Sequence, residues 1–203
     1  ANMLQSKAVF VSLSPQWART VILPLPLYHI YAFNLAQLVL AEGGHTVLIP
    51  NPRDLNAFVD ELKNWKFTAF TGLNTLFVGL CNHKAFSQLD FSSLLLTISG
   101  GMALTPAAAD HWKKITGCEV CEGYGLTEAS PTVTLNPPMA VRKGSIGLPV
   151  PHTEVIIINS EGEKQEPGAP GDLCVKGPQV MAGYWQRKEE THKTFTADGY
   201  LLT

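Results

Sequence analysis

The sequence predicts an α/β fold, a parallel sheet of βαβ units followed by a small antiparallel, β-barrel-like subdomain. Two observations carry this. Up to Cys121, short strand-like runs alternate with stretches of helical periodicity, separated by glycine or proline. After Pro131 the helical period disappears, and Gly144, Gly147, Pro149, Pro151, Gly162, Pro167 and Gly168 cut the chain into short runs such as Glu154 to Ile158 and Leu173 to Lys176. Such punctuation fits strands joined by tight turns, Ser160-Glu161-Gly162 being the clearest. The chain is therefore divided into residues 1–138 and 139–203, with the break in Asn136 to Lys143.

In order, Ala1 to Leu13 reads as the tail of a helix. Thr20, Val21 and Ile22 form a short buried strand ended by Pro24 and Pro26, which delivers Tyr28-His29 beyond a carboxyl end. Ile30 to Leu40 has helical spacing and stops at Gly43-Gly44, and His45 to Ile49 is a strand. Arg53 to Lys63 is an amphipathic helix with Leu55, Phe58, Val59 and Leu62 on one face. A strand at Thr68 to Thr71 leads to a helix from Thr75 to Asn82. Leu94 to Ser99 is a strand entering Gly100-Gly101-Met102, and Pro106 starts a helix that ends at Gly117. A strand follows at Glu119 to Cys121, and Lys188 to Thr194 is helix-like.

The 203 residues carry 15 basic and 17 acidic side chains, a formal charge of -2, without a long run of either sign. Neither a nucleic-acid partner nor a polybasic membrane patch is indicated. Ala1 to Phe10 does not read as a signal peptide, and Ile30 to Val39, interrupted by Asn34 and Gln37, is too short to span a bilayer. Four cysteines fit a reducing compartment. Cys118 and Cys121 have C-x-x-C spacing, but on a strand they point to opposite faces, so both are read as structural thiols.

The chemistry concentrates in Glu122-Gly123-Tyr124-Gly125-Leu126-Thr127-Glu128. Gly123 and Gly125 can take positive φ and admit a ligand close to the backbone. Tyr124 offers a flat face, Thr127 a hydroxyl for a phosphate oxygen, and Glu128 a hard oxygen ligand of the kind Mg²⁺ prefers. The spacing fits equally a strand, a glycine turn and a helix capped by Thr127. Gly100 and Gly101 permit a second close backbone approach. Two strand–glycine–helix junctions in a parallel sheet would put both loops on one edge, where one ligand touches both. His29 faces that edge or serves a structural role.

Six ordered segments, PLPLYH (24 to 29), SGGMALT (99 to 105), EGYGLTEASP (122 to 131), GSIGLPVP (144 to 151), PGDLCVKGPQVMAGYW (170 to 185) and DGYLLT (198 to 203), resemble the acyl-adenylate-forming superfamily, and within it bacterial long-chain-fatty-acid-CoA ligases. The resemblance covers essentially the whole chain. It implies a parent enzyme that activates a fatty acid with Mg-ATP to an acyl-adenylate and passes the acyl group to coenzyme A. It further implies that Tyr124 stacks on adenine and that Gly100, Gly101 and Met102 line the adenine pocket with Glu122, Gly123 and Gly125. Thr127 contacts phosphate, Glu128 holds Mg²⁺, and His29 sits beside the reacting carboxylate.

The resemblance also implies an internal fragment of a large N-terminal domain. The family's phosphate loop would precede Ala1, the ribose-gripping Asp would follow Thr203, and the mobile domain with the catalytic lysine would lie beyond. The chain alone is then expected not to form thioesters. Medium-chain or aryl acids, coumarate and luciferin-like acids among them, remain alternative substrates. A non-catalytic nucleotide- or acyl-binding module and a self-associating piece, such as a homodimer, are the rival classes. A cytoplasmic parent, peripheral on the inner face of the cytoplasmic membrane, fits a fatty-acid substrate.

Overall fold

The computed structural model describes residues 1–10 and 15–203. Helix α1 (Asn2–Val9) fills the first part of the expected N-terminal helix; residues 11–13 of that expectation lie outside the described residues. Then come β1 (Thr20–Leu23), α2 (Ile30–Ala41), β2 (His45–Leu48), α3 (Leu55–Leu62), β3 (Ala69–Gly72), α4 (Asn74–Cys81), β4 (Leu96–Ser99), α5 (Pro106–Thr116) and β5 (Val120–Gly125). The helix ends follow from local chemistry. Asp54 accepts from Ala57 N–H at the start of α3, and Thr105 accepts from Ala108 N–H at the start of α5, with Pro106 behind it. Gly117, at φ 74°, ends α5 in the left-handed conformation that glycine adopts without strain.

Strands β1 to β5 are parallel and lie in the order β2-β1-β3-β4-β5. Alternate residues face opposite layers. Ile22, Phe70 and Val120 pack under α3, α4 and α5 with Phe58, Phe77 and Trp112. Val21, Ala69, Ile98 and Cys121 pack under α2 with Leu35, Leu38 and Val39. Cys118, just before β5, packs against the first cluster, and Cys121 on β5 belongs to the second, so the two thiols lie on opposite faces of the sheet. Burial pushes the Cys121 thiol up to about 12 and raises that of Cys118 as well, so neither is poised as a thiolate.

The segment Glu122 to Glu128 differs from expectation. β5 runs on through Glu122-Gly123-Tyr124-Gly125, and neither glycine has positive φ. The chain then turns through a single 3₁₀ turn, Thr127–Ala129, which Thr127 does not cap, and returns as the antiparallel strand β6 (Thr132–Leu135). A strand hairpin therefore replaces the second strand–helix junction. The physical reason lies in packing: a Cβ on Gly125 would stand 2.2 Å from Pro131 O. The glycine admits the neighbouring strand rather than supplying an unusual φ.

Strand β7 (Leu148–Pro149) pairs with β6, so hydrogen bonding carries the large sheet past residue 138. Strands β8 (Glu154–Ile158) and β9 (Asp172–Lys176) come next, then α6 (Lys188–Thr194) and β10 (Leu201–Leu202). The antiparallel sheet β10-β9-β8 is open among the described residues, with β9 at its centre. The expected turn at Ser160-Glu161-Gly162 is present, closed by Gly162 N–H on Asn159 O and by Asn159 N–H on Glu163 O.

Candidate active site

The chain leaves β1, crosses above one face to the edge strand β2, then crosses the other face to β3 on the far side of β1. Connections thus diverge beyond the carboxyl ends of β1 and β3, where open α/β sheets form a crevice. His29 stands there as the cap of α2, its Nδ1 accepting from Tyr31 N–H at 3.3 Å. With Nδ1 accepting, the ring proton belongs on Nε2, a donor open to a ligand among the described residues. The ring of Tyr31 packs beside Gly100, where an added Cβ would lie 3.2 Å from Cε1.

A cavity of about 330 Å³ opens over these strand ends. His29, Gly100, Gly101, Gly123, Tyr124, Gly125, Thr127 and Glu128 all line it, so the structure gathers residues from the loop after β1, the end of β4 and the β5–β6 hairpin. Phe10, Leu35, Leu38 and Leu135 form an apolar floor continuous with them. Tyr124 also packs against Ala129 of the hairpin turn, Val133 of β6 and Val175 of β9, so its ring is supported both from the hairpin and from the second sheet. Gly101, at φ 83°, turns the chain sharply after β4.

Two expected residues do not line the cavity. Met102 is exposed on the loop beyond Gly101. Glu122 turns away, its Oε2 accepting from Leu104 N–H at 3.3 Å, and so ties the loop after β4 to β5. Strand alternation alone would put Glu122 on the same face of β5 as Tyr124; its bond to the loop after β4 is what sets it apart.

Glu128 sits at the cavity rim. Its Oε1 accepts from the Tyr184 hydroxyl at 2.7 Å, and this bond raises the Tyr184 pKa above the usual phenol value. No cluster of three or more His, Cys, Asp or Glu side chains able to hold a metal occurs among the described residues. One carboxylate beside a hydroxyl still fits Mg²⁺, which keeps several waters and takes its remaining oxygens from substrate phosphates. Such a donor set does not make an all-protein cage, and a cation there would need oxygens from its ligand.

Sequence reading missed the polar web that braces the hairpin. Asn2 Oδ1 accepts from Asn34 Nδ2 (2.7 Å) and from Thr132 N–H (3.0 Å), while Asn2 Nδ2 donates to Thr132 O (2.8 Å). Gln5 Nε2 donates to Pro151 O (2.7 Å) and Gln179 Oε1 (3.1 Å), and Gln179 Nε2 donates to Thr153 Oγ1 (2.7 Å). Ser130 Oγ donates to Gln179 O (2.9 Å). Gln179 is buried at 3% exposure, and its side chain bridges Gln5 to Thr153 and to Thr132 O, so Gln179→Ala removes that bridge and leaves a buried gap in the web. Urea unfolding should show a loss of about 1–3 kcal/mol; an unchanged midpoint would remove the web from the account.

A family model described as AMP-binding enzyme matches residues 1–185. The chain belongs to the AMP-binding enzyme family. Among curated relatives, a long-chain-fatty-acid–CoA ligase of Salmonella typhimurium is 48% identical over all of this chain and 36% of its own length. One of Bacillus subtilis is 36% identical over 88% of the chain and 32% of its own length. A 4-coumarate–CoA ligase of Oryza sativa is 28% identical over 90% of the chain and 34% of its own length. The chain thus spans about a third of the relatives it matches. Among solved structures, ATP-bound MatB from Rhodopseudomonas palustris superposes with a TM-score of 0.85 at 27% identity, covering 100% of this chain and 40% of that one. The α/β architecture is therefore shared with that solved structure. No helix among the described residues is long and apolar enough to cross a membrane.

Proposed function

We propose that the protein containing this chain activates a long-chain fatty acid with ATP to an acyl-adenylate and transfers the acyl group to coenzyme A. The observation that carries this reading is the single cavity joining a nucleotide-like rim of Gly100, Gly101, Tyr124, Thr127 and Glu128 to the apolar floor of Phe10, Leu35 and Leu38. A ligand that is polar at one end and aliphatic at the other fits such a cavity. The 48% identity to a long-chain-fatty-acid–CoA ligase supports the same substrate class.

In this reading Tyr124 stacks on adenine, and the glycine backbone at 100 and 101 lets the base approach. Met102 and Glu122 act from outside the cavity, Glu122 by fixing that loop. Thr127 donates to a phosphate oxygen and Glu128 binds the metal. When bound, Mg²⁺ neutralises charge on the phosphates, which eases attack by an anionic carboxylate. His29, whose Nδ1 is taken by Tyr31 N–H, donates from Nε2 to the carboxylate oxygen and orients it. The carboxylate oxygen bonds to the α-phosphorus as pyrophosphate leaves, and the thiol of coenzyme A then displaces AMP from the acyl carbon. Such an enzyme works in the cytoplasm and meets its lipid substrate at the inner membrane face.

The test is exchange of labelled pyrophosphate into ATP by the intact protein. Exchange that requires added palmitate is expected. Exchange with coumarate but not palmitate would replace the fatty-acid assignment by an aryl one. No exchange with any acid would leave a binding module.

A further inference from the structure

We propose that Tyr184 is a positioning residue for the Glu128 carboxylate, holding one oxygen so that the other is presented to nucleotide-bound Mg²⁺. The proposal rests on the reading of Glu128 as the metal-binding carboxylate. Glu128 lies on a short turn, and its side chain has several free torsions that metal binding must fix. Tyr184 removes much of that freedom in advance. Its hydroxyl donates to Glu128 Oε1 at 2.7 Å, and Met181 N–H donates to Glu128 O at 2.7 Å, so the segment after β9 clamps both the backbone and the side chain of the same residue.

The clamp is itself built. Tyr184 N–H donates to Thr191 Oγ1 (2.9 Å), and the Thr191 hydroxyl donates to Arg187 O (2.8 Å), which anchors the tyrosine to α6. Gly183 stands at φ 146°, and a Cβ there would lie 2.6 Å from Thr191 Cγ2. Only glycine lets the chain pass this close and still direct Tyr184 toward Glu128. With Oε1 occupied by the phenol, among the described residues Oε2 remains for the cation. Mg²⁺ would be held there by few protein carboxylates, with substrate phosphates and water supplying the other oxygens. Hydrogen bonds to a ligating carboxylate change metal affinity by about 10–100-fold.

Tyr184 is 39% exposed, so removing its hydroxyl leaves the fold intact. The test compares ATP affinity with and without Mg²⁺ by calorimetry, in the wild type, Tyr184→Phe and Glu128→Gln, each with a thermal melt. The expected result is a metal-dependent gain in ATP affinity that falls about tenfold in Tyr184→Phe, with metal-free affinity and melting unchanged, and that vanishes in Glu128→Gln. A gain lost in Glu128→Gln but intact in Tyr184→Phe overturns the positioning role alone. A gain intact in Glu128→Gln overturns the metal-site reading and the positioning role together.

Discussion

Trp112→Ala is expected to destabilise the protein by about 3–5 kcal/mol, a large share of the roughly 5–15 kcal/mol that holds an ordinary domain together. Trp112 has no exposed surface, and its ring centre lies 4.9 Å from Phe70, 4.8 Å from Phe77 and 5.4 Å from Phe86. It joins α5 to the sheet and to α4 at once. Truncation opens a cavity that these rigid rings cannot close, and it also leaves Thr97 Oγ1 without the indole N–H it accepts at 3.0 Å. Calorimetric or urea unfolding checks this; a loss under about 1 kcal/mol would mean that the aromatic layer repacks freely.

Gly125→Ala should have the largest effect on the site. An added Cβ would stand 2.2 Å from Pro131 O and 2.9 Å from Pro131 C, both backbone atoms that no rotamer change can move. Overpacking of this kind costs about 1–3 kcal/mol even where side chains can yield. Here the strain falls on the pairing of β5 with β6, which carries Tyr124 at one end and Thr127 and Glu128 in its turn. The expected result is lost amide-exchange protection across Tyr124 and Thr134, together with at least tenfold weaker binding of an acyl-adenylate mimic, by the free-energy scale of overpacking. Binding and protection equal to wild type would show that the hairpin has slack.

The parallel sheet was legible because its signals are local. The Thr105 cap, Pro106 and the stop at Gly117 define α5 within a dozen or so residues, and Phe58, Val59 and Leu62 mark the buried face of α3. The hairpin after Gly125 was not, because the glycines are required by a strand that comes later in the chain. A glycine that admits a neighbour and one that adopts positive φ look identical in sequence. The same holds for the site. Tyr124, Thr127 and Glu128 share one short motif, but the groups that brace it come from afar: Tyr184 meets Glu128 across 56 positions, and Gln5 meets Gln179 across 174. Glu122 looked equivalent to its neighbours until its bond to the loop after β4 set it apart.

The central claim, that the adenylate floor is preformed on β4, β5 and the hairpin turn, is tested most directly by calorimetric titration of the purified protein with a non-hydrolysable acyl-adenylate mimic, in the wild type and in Tyr124→Ala. Stacking of a base on an aromatic side chain is worth about 1–3 kcal/mol by alanine substitution, so the variant should bind about 5–150-fold more weakly. Equal affinity in the two proteins would show that adenine does not rest on Tyr124 and that the cavity has been assigned to the wrong ligand.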